Sequence, residues 1–297
     1  MSQRWLEISV NVDPSDADDV RIELGRWVGP ALAVEHSADD AHGQVTVRAY
    51  VADGPECQST REALERALWH LGATGASTLR TPHVRWVRPE QYLNEWRAFY
   101  RPFTVGRCFV IAPSWTDAPD GDRQVIRLDP GMAFGTGLHP TTQLAVEVLE
   151  GAVGPGHDVI DVGTGSGVLA IVAALSGARR VRAVDTDADA VRTARANVAK
   201  NGCGDRVSVV QGRLPLHSCD AADIVVANIV ADTHLRSLDH YRAAVRRDGR
   251  VILGGITSAR SAEMQEAVAH HGLDVESVLC RDGWECLNLS VPPAGDS

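Results

Sequence analysis

The sequence predicts an α/β protein: a doubly wound, mostly parallel sheet of seven strands with an antiparallel hairpin at one edge, preceded by a small α+β ferredoxin-like domain. Three observations lead there. From residue 126 onward, short apolar runs alternate with segments of helical period. A glycine-rich turn, Asp161-Val162-Gly163-Thr164-Gly165-Ser166-Gly167, falls between the first strand of that rhythm and its helix. Before residue 88 the periodicities run β-α-β-β-α-β, the split-βαβ unit.

Residues 4–12 (RWLEISVNV) alternate as a strand does. Asp13-Pro14-Ser15-Asp16 opens a helix to about Val28, with Pro14 in its first turn and Gly29-Pro30 as its stop. Residues 31–36 and 44–51 read as two strands around a polar hairpin loop. Residues 59–71 form an amphipathic helix with Leu64, Leu68 and Leu71 on one face, and 78–87 a fourth strand. Residues 89–101 (PEQYLNEWRAFYR) place Tyr92, Trp96 and Phe99 at helical spacing; two short strands follow near 103–112, then a polar loop over 113–122. The expected organisation is therefore 1–88 as the small domain, 89–125 as the connection and 126–297 as the larger domain. In the last, strands read at 158–162, 181–185, 206–210, 223–227 and 250–254, and helices at 140–151, 167–176, 187–201, 231–246 and 259–271. Two late strands, 273–280 and 284–291, flank Arg281-Asp282-Gly283 as the hairpin.

Composition narrows the chemistry. The 297 residues carry a net charge of −10, spread as −4, −1 and −5 over the three regions, so no segment has the basic footprint of a nucleic-acid binder. The longest apolar run, Val168–Leu175, is far short of a membrane span, and Met1-Ser2-Gln3-Arg4-Trp5 lacks the apolar core of a signal peptide. The six cysteines form no C-x-x-C pair, which signals neither a zinc knuckle nor a thioredoxin-type site and suggests reduced thiols in a cytosol. Lys200 is the single lysine, and no Gly-Lys-Ser/Thr phosphate loop exists.

Four segments carry chemistry. In the glycine turn, Gly163 and Gly165 let a ligand approach the main chain; a dinucleotide fingerprint would want glycine at 168, which is Val168, so a nucleoside without a pyrophosphate fits better. Asp185 ends the next strand, where a carboxylate can accept both hydroxyls of a ribose, while Asp187 suits a helix N-cap. In Asp129–Thr142 (DPGMAFGTGLHPTT) a glycine-rich loop runs into a helix at Pro140, where helix-start amides and threonine hydroxyls can bind a carboxylate; His139 is either a base or a capping residue. Asn228, in Ala227-Asn228-Ile229-Val230-Ala231, either offers its amide to a substrate N–H or caps the following helix.

Together these resemble class I S-adenosylmethionine-dependent methyltransferases. LDPGMAFGTGLHPTT, with DVGTGSGVLAI and VVANIVA downstream, is similar to one family in particular, the PrmA-type ribosomal protein methyltransferases that modify large-subunit ribosomal protein eleven. The resemblance extends through NEWRAFYRPF and CFVIAPSW over nearly the whole chain. It implies S-adenosyl-L-methionine as cofactor, and Thr142, Gly163, Asp185 and Asn228 as residues that contact it; Gly165 joins them from the glycine turn, and Asn228 with backbone carbonyls is expected to orient the reacting amine. Thr164 stands where many members carry cysteine. The resemblance further implies lysine ε-amines and an N-terminal α-amine as methyl acceptors, and a cytoplasmic enzyme whose first domain grips the substrate protein, free or on the ribosome. The chain is expected to be a monomer without metal, and without direct nucleic-acid or membrane contact. Three rivals remain at this level: a class I methyltransferase with another protein or small-molecule substrate, a nicotinamide oxidoreductase, and a non-catalytic binding protein.

Overall fold

In the computed structural model, residues 102–292 are described except for 118–120, 129–136 and 216–220; before them, 4–13, 32–36, 45–54, 57–74 and 82–87 are described, with Asp16, Ala17, Val20, Leu24 and Val28 between the first two segments. The chain divides into two compact units, Met1–Tyr100 and Arg101–Ser297.

The first unit is built on β1 (Trp5–Val12), β2 (Leu32–His36), β3 (Val45–Ala52), α1 (Cys57–Thr74) and β4 (His83–Val87). The strands form one antiparallel sheet in the order β2-β3-β1-β4. Period-2 alternation sends Leu6, Ile8, Val10 and Val12 to one face, where they pack with Val45, Val47, Leu64 and Leu68. Within the predicted helix 13–28, Val20 and Leu24 are buried in the same core and Ala17 and Val28 pack against it; most of its other residues lie outside the described ones, as does the predicted helix at 89–101. Glu7 is buried on the opposite face, held by Arg48 and by a two-pronged bond from Arg85, 2.9 and 2.8 Å. Burial alone would raise its pKa, but the two guanidiniums hold the carboxyl below the ordinary value.

The second unit begins with a three-stranded sheet, β5 (Phe103–Val105), β6 (Phe109–Ala112) and β7 (Gln124–Arg127), whose Val105, Phe109, Ile111 and Ile126 enter the unit's main core. Strands β5, β6 and β7 thus pack with the larger sheet's core. Then follow α2 (Pro140–Ala152), β8 (Asp158–Val162), α3 (Val168–Leu175), β9 (Arg180–Asp185), α4 (Ala188–Lys200), β10 (Val207–Gln211), β11 (Ala222–Asn228), α5 (Ala231–Ala244), β12 (Val245–Thr257), a 3₁₀ turn at Ser258–Arg260, α6 (Ser261–His270), β13 (Asp274–Arg281) and β14 (Trp284–Ser290). The seven-stranded sheet runs β10-β9-β8-β11-β12-β14-β13, parallel except where β14 pairs antiparallel with β12 and β13.

Helices α2, α3 and α4 bury their apolar sides on one face, and α5 and α6 theirs on the other. The central strands are covered on both sides, which is why they read as continuous apolar runs. Two differences from the sequence reading have local causes. Strand β12 starts at Val245 rather than 250, because Val245 pairs with Ala222 ahead of a register break in which Arg246–Gly249 have no strand partner; the Arg246 guanidinium turns back onto the Ala221 carbonyl and Asp223, 2.9 and 2.6 Å. Strand β7 was not foreseen, because four residues between polar neighbours carry too little period-2 signal.

Candidate active site

The strand order reverses between β8 and β11, so the connections leaving those two strands part company and open a crevice at their carboxyl ends. The glycine turn leaves β8 there. The amides of Gly163 and Thr164 both donate to the Val184 carbonyl, 2.9 and 3.0 Å, tying the turn to β9. Gly163 has φ +72°, and a Cβ built on it would stand 2.5 Å from Ile229 Cγ2. Only glycine satisfies both the left-handed backbone and the close pass of β11's exit.

Asp185 ends β9 beside this turn. Its Oδ2 accepts from the Gly165 amide at 2.9 Å and its Oδ1 from the Asp187 amide at 3.0 Å. Each oxygen keeps a lone pair, and the carboxylate is partly open to solvent. Asp187 itself is the N-cap of α4, accepting from Asp189 at 2.9 Å, as its position suggested.

Asp161, fully buried at the end of β8, anchors the turn from below. Its Oδ2 accepts from Thr164 Oγ1 at 2.6 Å and from the Ala170 amide at 3.1 Å, while Oδ1 has no partner. Burial pushes its pKa up to about 7 against the pull of those two bonds. Sequence reading singled out the glycines and passed over this acid; the signal was its place two residues before Gly163 on a buried strand.

Across the crevice, α2 brings Thr142 to Asn228. His139 caps the helix through Nδ1, which accepts from the Thr141 amide at 3.3 Å, and Pro140 fills the first helical position, where no N–H is needed. Thr142 is buried on the helix's inner side, and Asn228 Nδ2 donates to its hydroxyl at 3.3 Å. The Asn228 Oδ1 is buried and has no hydrogen-bond partner. It is a buried acceptor at the carboxyl end of β11 that calls for an added donor. His139 takes the capping alternative, and its ring meets Trp284 edge-on at 5.0 Å between centroids. Leu138 and Val230 stand exposed on the segments that carry Thr142 and Asn228. The loop 129–136 that precedes them lies outside the described residues.

The sequence-nominated residues therefore form two pairs, Gly165 with Asp185 and Asn228 with Thr142, and Gly163 bridges toward the second through Ile229. Among the described residues no group of three His, Cys, Asp or Glu is arranged to hold a metal ion. No described helix is long and apolar enough to cross a membrane.

This chain is similar to several known proteins. A curated protein of Geobacter sulfurreducens, "Ribosomal protein L11 methyltransferase", is 37% identical over 297 residues, covering 97% of this chain and 98% of its own. A protein of the same name from Chloroflexus aurantiacus is 36% identical over 95% of this chain and 97% of its own. The crystal structure of a ribosomal protein L11 methylase from Lactobacillus delbrueckii subsp. bulgaricus superposes with a TM-score of 0.60 at 33% identity, covering 65% of this chain and all of that one. The family described as "Ribosomal protein L11 methyltransferase (PrmA)" matches residues 4–291, and the chain belongs to that methyltransferase family.

Proposed function

We propose that this chain transfers methyl groups from S-adenosyl-L-methionine to lysine ε-amines and the N-terminal α-amine of large-subunit ribosomal protein L11. The observation that carries this reading is the buried, unpartnered Asn228 Oδ1 beside Thr142 at the carboxyl end of β11, with the half-open Asp185 carboxylate and a glycine turn at the ends of the neighbouring strands. That donor set fits an adenosyl sulfonium: a carboxylate for two ribose hydroxyls, bare backbone for close approach, and an acceptor at the far end.

When bound, the cofactor supplies an already electrophilic methyl group, so this chain's residues are asked for binding and alignment. Asp185 accepts the ribose hydroxyls. Gly163 and Gly165 keep the wall free of side chains, and Thr142 holds the Asn228 amide. Asn228 Oδ1 accepts an N–H of the incoming neutral amine and so directs its lone pair. An α-amine, with a pKa of about 7.7–8, reaches that state more readily than a lysine at about 10.4. A side-chain amide takes up no proton, so the amine's proton passes to solvent.

In this reading residues 1–88 recognise the substrate protein, 89–125 connect and 126–297 bind the cofactor, and the enzyme works as a cytoplasmic monomer without nucleic-acid contact. The test is incubation with labelled S-adenosyl-L-methionine and undermethylated ribosomal protein L11, mapped by mass spectrometry. Label on lysine and α-amino nitrogens supports the reading; label confined to another protein or to a small molecule replaces it.

A further inference from the structure

Strand β12 loses register with β14 between Leu253 and Ile256, and the residues released there are Gly254 and Gly255. Gly255 has φ +78°. A Cβ at Gly254 would stand 2.7 Å from Asn228 Oδ1, and one at Gly255 would press into the Ile229 carbonyl. The bulge therefore makes room for the Asn228–Ile229 turn at the crevice, a re-aiming use that bulges serve beside active sites.

The bulge also needs an acceptor's partner. The Gly254 carbonyl is bonded by His234 Nε2 at 2.8 Å, from the first turn of α5. His234 is fully buried. Because a carbonyl only accepts, Nε2 carries the proton. The bare Nδ1 then accepts from the Tyr241 hydroxyl at 3.3 Å, and that hydroxyl is bonded in turn by Ser237. Residues 234, 237 and 241 are spaced to share one face of α5. Burial keeps the imidazole neutral, with a pKa down to about 4, so Nδ1 stays free to accept from the Tyr241 hydroxyl. None of this relay touches the crevice; all of it ends on the backbone against which Asn228 lies.

We infer that His234 is a positioning residue for methyl transfer, which holds the Gly254–Gly255 bulge against Asn228 and thereby fixes the direction of the Asn228 Oδ1. This rests on the proposed function, in which that oxygen orients the amine.

The full-length protein tests it with His234→Leu, which keeps the bulk and removes the donor, and His234→Gln, whose amide nitrogen restores one. Two readouts are needed: the Asn228 side-chain amide signals by ¹⁵N NMR, and the single-turnover methyl-transfer rate at saturating cofactor alongside S-adenosylhomocysteine affinity by calorimetry. In His234→Leu the Asn228 signals shift and the rate falls about tenfold, the scale of a small misalignment, with affinity unchanged. His234→Gln recovers both. Unmoved Asn228 signals overturn the inference, and so does a glutamine variant as impaired as the leucine one, or an affinity that falls with the rate. If the leucine variant does not fold, Tyr241→Phe, which strips the hydroxyl that fixes the tautomer, must move the same signals in the same direction. If the wild-type protein transfers no methyl group, the proposed function fails, and the NMR signals alone decide the place of His234.

Discussion

Asp185 gives one lone pair to Gly165 and one to Asp187, which fixes its plane while leaving the carboxylate half-open at the crevice. Its removal should weaken cofactor binding by about 1.5–3 kcal/mol, the scale of bonds to a charged group, or roughly 10- to 150-fold in Kd. Calorimetry on Asp185→Ala checks this, and unchanged affinity would take Asp185 out of the site. Asn228→Ala should behave differently: turnover should fall far more than cofactor affinity, because the lost acceptor faces the amine. Equal losses in a kinetic and calorimetric comparison would make Asn228 a cofactor or folding residue. At this scale the sequence was readable where a residue type has few uses. A glycine after a strand, an acid ending the next strand and an asparagine ending a third announce themselves. Asp161 left only its place two residues before Gly163, and His234 left no pattern, because its partner is a backbone carbonyl twenty residues away.

Between β11, α5 and β12 the same contacts make a prediction about pH. His234 has a pKa near 6.5 when unfolded and about 4 in the fold, since burial disfavours the charged ring. Below 6.5 the unfolded chain takes up a proton that the folded chain refuses until about pH 4. This contribution to stability is therefore complete above 6.5 and is lost as the pH falls toward 4, by up to about 3 kcal/mol. Asp161 runs the other way: its pKa is raised in the fold, so its contribution is complete below about 4 and is lost as the pH rises through about 7. The histidine is isolated by comparison with His234→Gln. Urea unfolding at pH 7 and pH 5 should show wild type losing more stability on acidification than the variant; equal losses would remove the histidine as the cause. Element boundaries were legible for the same reason the elements are stable. β8 and α3 were read to within a residue: α3 is an unbroken apolar run, and β8 is a short apolar segment that ends at the glycine turn. β12 reads eight residues short because Val245 joins the sheet ahead of the unpaired Arg246–Gly249, and its last residues follow the break at Gly254–Gly255.

At the scale of the whole chain, each unit encloses its own apolar core. A protein lacking residues 1–88 should therefore bind S-adenosylhomocysteine with near-normal affinity and fail to methylate ribosomal protein L11; retained protein methylation would end the recognition role of the first unit. The two-unit order was legible from the change of rhythm near residue 126, yet contacts set the division at Tyr100, because the short strands after it lend Val105, Phe109 and Ile111 to the larger core. A run of three or four residues does not say which side it will join.

The account stands or falls on what occupies the opening between β8 and β11. A crystal structure with S-adenosylhomocysteine should show the ribose hydroxyls on Asp185, the adenosyl group against Gly163 and the sulfur end directed toward Asn228. A nucleoside bound elsewhere, with Asp185 and Asn228 left facing solvent, would contradict it.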